Sequence, residues 1–245
     1  MATRHEAEIE HGAKIASDAD SVWGWSSPAG QRRALRRAEL LLSRAGARKG
    51  ARILELGCGI GIFTELLGRS SEATFVGVDI SHDLLRRARE RCPKAAFERG
   101  AIEALPHPAA TFDAVIGSSV LHHLELGPAL SEVRRVLKPG GRFVVAEPNM
   151  LNPQIMIQKN VPFVKRLAGD TPDETAFFRW RIARDLERAG FSAIEIEPYD
   201  FLHPMVPAPL IGGVALLGNV LERLPLLREF AGSLIISAAR PAAGS

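Results

Sequence analysis

Cysteine is scarce: the chain has only Cys58 and Cys92, with no metal-ligand spacing, which excludes a disulfide framework and a zinc site. No metal is expected. Aromatic residues make up 6% of the chain, the formal charge is only +3 and the pI is about 9.1, so no strongly basic, aromatic-rich nucleic-acid face is indicated. No nucleic-acid partner is expected. The segment Met1–Asp20 is charged and lacks an apolar core of signal-peptide type, so a cytoplasmic protein is the default expectation. There is no internal repeat. Apolar residues are abundant: 46% of 245 residues suffices for a full core in one decorated domain.

The run Ile53-Leu54-Glu55-Leu56-Gly57-Cys58-Gly59-Ile60-Gly61-Ile62-Phe63-Thr64 reads as a buried strand, a glycine turn and the first turn of a helix. Glycines 57, 59 and 61 let the backbone bend and let a ligand approach it closely. Ile62 stands where a dinucleotide fingerprint needs its last glycine, which argues against a pyrophosphate. Glu55, at the strand end, is expected to attract a cation. Phe75-Val76-Gly77-Val78-Asp79-Ile80 is a second apolar strand, and Asp79 stands where a βαβ unit positions the acid that grips ribose hydroxyls. A ribose clamp, a glycine turn unsuited to phosphate and an acid for an ammonium group describe S-adenosylmethionine. The segment resembles motif I and the following acidic strand of class I S-adenosylmethionine-dependent methyltransferases.

Further runs extend the resemblance over about 100 residues. Gly100-Ala101-Ile102-Glu103-Ala104-Leu105-Pro106 is similar to the loop that contacts adenine in that family. Ala101 replaces the usual acid, which leaves backbone contact and Ile102 packing. Phe112 to Leu124 resembles the fourth strand and its following loop, and Glu132 to Gly141 the helix and turn before the fifth strand. The resemblance implies an α/β, doubly wound, mostly parallel seven-stranded Rossmann-like sheet with an antiparallel last strand. It implies cofactor contacts at Glu55, Gly57, Cys58, Gly59, Gly61, Asp79, Ile80, Ala101, Ile102 and Ser118, with S-adenosylhomocysteine as product.

His122 and His123 follow the fourth strand, near the expected methyl group, and either is a candidate base for an acceptor hydroxyl. The alternative is that they order the loop. Glu147 is a candidate to bind or deprotonate the acceptor, or to cap the next turn. Trp23 and Trp25 are candidates for an aromatic lid over the sulfonium, or for packing of the N-terminal helix on the sheet. Tyr199 and His203 are candidate acceptor contacts.

The predicted organisation is an N-terminal helical lid over 1–45 and a methyltransferase domain over 46–245, with substrate-side insertions at 149–179 and 199–232. Residues 1 to 30 have no clear assignment. From Gln31 to Ala45, Leu35, Ala38, Leu41 and Leu42 mark an apolar helix face. Arg32, Arg33, Arg36 and Arg37 mark the other, read as a solvated face, with an anionic partner as the alternative. Helices are also predicted at 61–68, after Ser81 as N-cap, at Leu130–Leu137 ended by Lys138-Pro139-Gly140-Gly141, and at Trp180–Ala189 closed by Gly190. Phe201 to Leu221 has no Asp, Glu, Lys or Arg. Its prolines and glycines argue against a spanning helix, leaving an apolar wall over the substrate, a peripheral membrane contact through 201–228, or core and oligomer packing. Homodimerisation stays open.

The predicted function is methyl transfer to oxygen, nitrogen or carbon of a partly apolar small molecule, such as a secondary metabolite, quinone or lipid. The alternatives are a macromolecule methyltransferase and a non-catalytic protein that keeps the fold. An Asn/Asp-Pro-Pro-aromatic motif is absent at Ser118-Ser119-Val120-Leu121, which weighs against adenine or glutamine methylation.

Overall fold

Apolar runs bounded by turns become the strands of one seven-stranded sheet in the computed structural model, which describes residues 4–167 and 175–242. In chain order the elements are α1 (Arg4–Ile15), α2 (Ala19–Val22), α3 (Pro28–Ala45), β1 (Arg52–Leu56), α4 (Ile62–Ser70), β2 (Thr74–Asp79), α5 (His82–Arg91), β3 (Ala96–Arg99), β4 (Phe112–Ser118), α6 (Leu126–Val136), β5 (Leu137–Pro148), α7 (Pro153–Asn160), α8 (Pro162–Leu167), α9 (Arg179–Arg188), β6 (Ser192–Tyr199), α10 (Ile211–Leu221) and β7 (Ser233–Ala239). Short 3-10 turns lie at Ile102–Ala104 and Leu121–His123.

The strand order is β3-β2-β1-β4-β5-β7-β6, and β7 runs antiparallel to both β5 and β6. The order reverses between β1 and β4. In an open α/β sheet, that switch point opens a crevice at the carboxyl ends of the strands.

Each face of the sheet buries its own core, because alternate residues of a strand point to opposite sides. Leu54, Leu56, Val76, Val115 and Val145 pack under α6 and α9, through Leu130, Val133, Ile182 and Leu186. Ile53, Phe75, Ile116 and Val144 pack under α3 and α4, through Ala38, Leu41, Phe63 and Leu67.

Local signals hold where they were read. Ser81 caps α5 by accepting the Leu84 N–H at 3.4 Å. Gly190 follows α9 with a left-handed φ of 80°. Elsewhere tertiary contacts changed the reading. The unassigned N-terminus is helical in α1 and α2. The helix expected from Leu130 begins at Leu126, and its expected stop at 138–141 lies within β5. On α3, Leu35 is 52% exposed whereas Arg37 is 3% exposed, because Ala34, Ala38, Leu41 and Ala45 form the face laid on the sheet.

The charge-free stretch forms a short helix, α10, of 11 residues. At 1.5 Å per residue it is about 16 Å long, roughly half of a bilayer core. Among the described residues, no helix is long and apolar enough to cross a membrane.

Candidate active site

β1 ends in a glycine turn whose shape depends on missing Cβ atoms. Gly57 and Gly59 have φ of 58° and 52°. A Cβ on Gly59 would stand 2.8 Å from the Trp23 ring, so the backbone approaches the N-terminal segment closely there. Across the turn, at the end of β2, Asp79 accepts the Gly59 N–H at 2.8 Å and the Ser81 N–H at 2.9 Å, one on each carboxylate oxygen. Burial raises the Asp79 pKa above its ordinary value, and these two backbone bonds partly oppose the rise.

A cavity of about 690 Å³ opens over this turn and continues along the ends of β4 and β7. Such a volume lies within the range of small-molecule sites. Among the residues expected to hold cofactor, Gly57, Cys58, Gly59, Asp79, Ile80, Ala101, Ile102 and Ser118 line it. His122, His123, Trp23 and Trp25 line it too.

His122 and Glu147 form a buried pair behind this wall. His122 Nδ1 lies 2.7 Å from Glu147 Oε2, and Glu147 Oε1 accepts the N–H groups of Val120 at 2.9 Å and Leu121 at 2.8 Å. Glu147 is fully buried and does not line the cavity. His123 Nδ1 instead meets Glu8 of α1 at 3.1 Å.

Four other expected site residues stand away from the cavity wall. Glu55 shares a sheet face with Ile53, which turns its carboxyl under α4, where Thr64 Oγ1 donates to it at 2.6 Å. Burial pushes its pKa up to about 8, against the Thr64 hydrogen bond and with help from the Asp79 charge. The carboxyl is therefore neutral at pH 7 and presents no negative charge to a ligand, contrary to its expected role. Gly61 serves as the left-handed N-cap of α4. Tyr199 is buried in the α3-side core. His203 lies outside the cavity, 2.9 Å from the side-chain amide of Gln154.

The structure also brings in residues that were not among the expected cofactor, catalytic or acceptor contacts, although Arg33 and Arg37 belong to the arginine face for which an anionic partner was the alternative. His5, Glu8, Arg33, Arg37, Glu103, Ser119, Ile155 and Ser233 line the cavity. Arg37 Nη1 donates to Ser118 Oγ and Ser119 Oγ, and Nη2 to Ser233 Oγ, each at 3.0 Å. Its presence in the arginine cluster of α3 was the one available signal. The apolar segment 201–221 contributes nothing to the cavity wall; Ile155, Gln158 and Lys159 of α7 supply that side instead.

The N-terminal segment is tied to the loops and helix around the cavity. Arg4 donates to the His122 carbonyl at 3.2 Å, His5 stands 3.4 Å from Glu103, and Arg91 of α5 pairs with Asp20 at 2.6 Å.

A doubly wound sheet with a glycine turn beside its switch point and an acid at the end of the neighbouring strand has the arrangement of nucleotide- and nucleoside-binding α/β folds. Comparison with known proteins narrows that class. Residues 54–145 match the family described as "Methyltransferase domain". The chain is similar to a trans-aconitate 2-methyltransferase from Methylobacterium nodulans, 37% identical over 145 residues covering 55% of each chain. Its fold is similar to the crystal structure of the [4+2]-cyclase SpnF, with a TM-score of 0.72, 21% identity, and coverage of 99% of this chain and 98% of that one. It is also similar to phosphoethanolamine N-methyltransferase 2 from Haemonchus contortus in complex with S-adenosyl-L-methionine, with a TM-score of 0.63, 18% identity, and coverage of 89% of this chain and 55% of that one. At these identities the two solved structures show the fold alone. The chain spans about half the length of the curated relatives it matches. The methyltransferase-domain match covers residues 54–145, and the surrounding chain shares the fold of the solved structures.

Proposed function

We propose that the protein transfers a methyl group from S-adenosylmethionine to a small-molecule acceptor and releases S-adenosylhomocysteine. One observation carries this reading: a single cavity joins the glycine turn and Asp79 to a compartment walled by Trp25, Arg37 and Ile155, with His122 on its wall. The charges fit a cationic nucleoside. Glu8, Asp79 and Glu103 line the cavity, and the Lys and Arg among its described lining residues come from α3 and α7, not from the glycine turn.

When bound, the donor supplies an activated methyl group on a positive sulfur. The remaining work belongs to the protein and is mostly alignment, which contributes up to about 7–11 kcal/mol in well-oriented reactions. Each Asp79 oxygen accepts one backbone N–H and keeps capacity for a ribose hydroxyl. Ile102 packs against the adenine, and Ala101 offers it no side-chain acceptor. Gly57 and Gly59 admit the ligand close to the main chain, and Cys58, Ile80 and Ser118 complete that wall.

His122 is the base for a hydroxyl acceptor. A proton on Nδ1, donated to Glu147, makes Nε2 the basic nitrogen. Glu147 is then a positioning residue, because it touches His122 and the loop backbone rather than the cavity. Residues 1–45 act as the lid, with Trp23 over the turn and Trp25 over the acceptor compartment. A small organic acid in the name of a relative supports the small-molecule class of acceptor. Leu216, Leu217 and Val220 of α10 are exposed and mark where a lipid or second-copy contact is expected.

Calorimetric titration with S-adenosylmethionine tests the reading. The expected result is micromolar-range binding, weakened about tenfold or more in Asp79→Ala, which corresponds to about 1.4 kcal/mol. Absence of binding to the unaltered protein overturns it.

A further inference from the structure

Resting on that reading, we infer that Arg37, framed by Ser118, Ser119 and Ser233, is a subsite for a carboxylate group of the methyl acceptor. Three other arginines of α3 pair with acids. Arg33 Nε donates to Asp200 at 2.7 Å, Arg36 Nη1 to Glu222 at 2.8 Å, and Arg44 to Glu195 and Glu197 at 2.6 Å. Arg37 is the most buried of these, at 3% exposure, and none of its hydrogen-bond partners is an acid.

Its hydrogen-bond partners are all neutral, and the nearby Arg33 charge is already paired with Asp200. Three serine hydroxyls accept from Nη1 and Nη2, and the indole of Trp25 lies 5.1 Å from the guanidinium carbon. Nε makes no well-formed hydrogen bond, and neither does the Tyr199 hydroxyl, which is buried against the Arg37 side chain. A guanidinium has five N–H donors, cannot shed its proton inside a protein, and costs several kcal/mol to bury without a counter-charge. Cation–π contact with the Trp25 ring offsets only part of that cost. A ligand carboxylate supplies the missing charge, and its planar pair of oxygens matches the guanidinium fork.

The location fits an acceptor beside the donor nucleoside, with Ser118 on the boundary between them. Arg37 enters from α3, Ser118 ends β4 and Ser119 follows it, four and three residues before His122, and Ser233 opens β7. All four line the cavity. Ser119 holds its place at some expense: its φ is 54°, a left-handed conformation that is strained for a non-glycine residue. Its N–H is fixed to the Ala146 carbonyl at 2.7 Å while its hydroxyl faces Arg37. Pro148 and Ile155 add apolar wall beside these groups, so an acid with a hydrocarbon body is favoured.

The test uses the full chain saturated with S-adenosylhomocysteine. Octanoate, adipate, citrate and inorganic phosphate are titrated by calorimetry, with methyl octanoate, dimethyl adipate and trimethyl citrate as uncharged controls. At least one carboxylate is expected to bind while its ester does not. Arg37→Met should weaken that binding about thirtyfold or more, by the 2 kcal/mol or more that loss of a buried charge partner costs. Affinity for S-adenosylhomocysteine should stay within about twofold in the same variant, by less than about 0.5 kcal/mol. Arg37→Lys, which keeps the charge but not the fork, should give an intermediate loss and serves if the methionine variant fails to fold.

The subsite is refuted if no carboxylate binds the S-adenosylhomocysteine complex, if esters bind as well as acids, or if the Arg37 variants bind carboxylates unchanged. Arg37-dependent binding of phosphate in preference to every carboxylate refutes the assignment to a carboxylate. Failure of S-adenosylhomocysteine itself to bind is a different result, and it strikes the methyltransferase reading.

Discussion

The Glu147 carboxylate holds the His122 ring with one oxygen, at 2.7 Å, and the two N–H groups of the loop before it with the other. One fully buried side chain thus orients both the imidazole and the backbone that carries it. Glu147→Ala leaves the Val120 and Leu121 N–H groups without their acceptor and removes its contact with the His122 ring. Each unsatisfied buried N–H costs about 1–3 kcal/mol, so a total loss of about 2 kcal/mol or more is expected in urea denaturation. Glu147→Gln keeps an acceptor oxygen for the amides and should lose clearly less. Equal stability of the alanine variant and the unaltered protein would show that the pair does not order the loop.

Glu55 makes stability depend on pH in a defined direction. Its pKa is raised by burial to about 8 in the folded protein, against a value of 4.5 when unperturbed. Above pH 4.5 the unfolded chain gives up this proton while the folded chain keeps it, so stability falls as pH rises and levels off above about 8. Glu55→Gln retains an acceptor for Thr64 and removes the titration. The variant is therefore expected to gain stability relative to the unaltered protein across pH 5–8, by at most about 1.4 kcal/mol per pH unit. Parallel stability profiles for the two proteins would contradict the burial of a neutral Glu55.

The contact between Gly59 and Trp23 separates backbone strain from closure of the site. An alanine at Gly59 (φ 52°) and one at Gly46 (φ 64°) both adopt a left-handed conformation. Each substitution is expected to cost about 1–2 kcal/mol in thermal or urea denaturation. Only at Gly59 does the new methyl meet a ring, since the space at Gly46 is open to 4 Å. Affinity for S-adenosylhomocysteine should accordingly drop in Gly59→Ala and hold in Gly46→Ala. The same affinity in both would remove Trp23 from the proposed lid.

The site was legible where its signals are local. The glycine turn, Asp79 at its spacing from that turn, and Ser81 as a cap all sit on or beside the cavity. Glu55 was legible as a residue but not as a chemical state, because its neutrality arises from the packing of β1 against α4. Arg37 was visible only as one member of an arginine-rich helix face. The helical N-terminus, which brings His5 and Glu8 to the cavity, showed no apolar periodicity clear enough to assign.

By itself the amino-acid order determined the alternation of strands and helices, the sharp turn after β1 and the acid that answers it. Those features are written in spacings of a few residues, through backbone sterics and the period of side-chain direction. Only the tertiary structure decided which arginine of α3 loses solvent, that burial raises the pKa of a strand carboxylate to about 8, and that a histidine and a glutamate 25 residues apart meet at hydrogen-bond distance. Each of these depends on solvent excluded by segments far apart in the chain. Solvent exclusion sums over every element packed around a group, so no local window of sequence contains it.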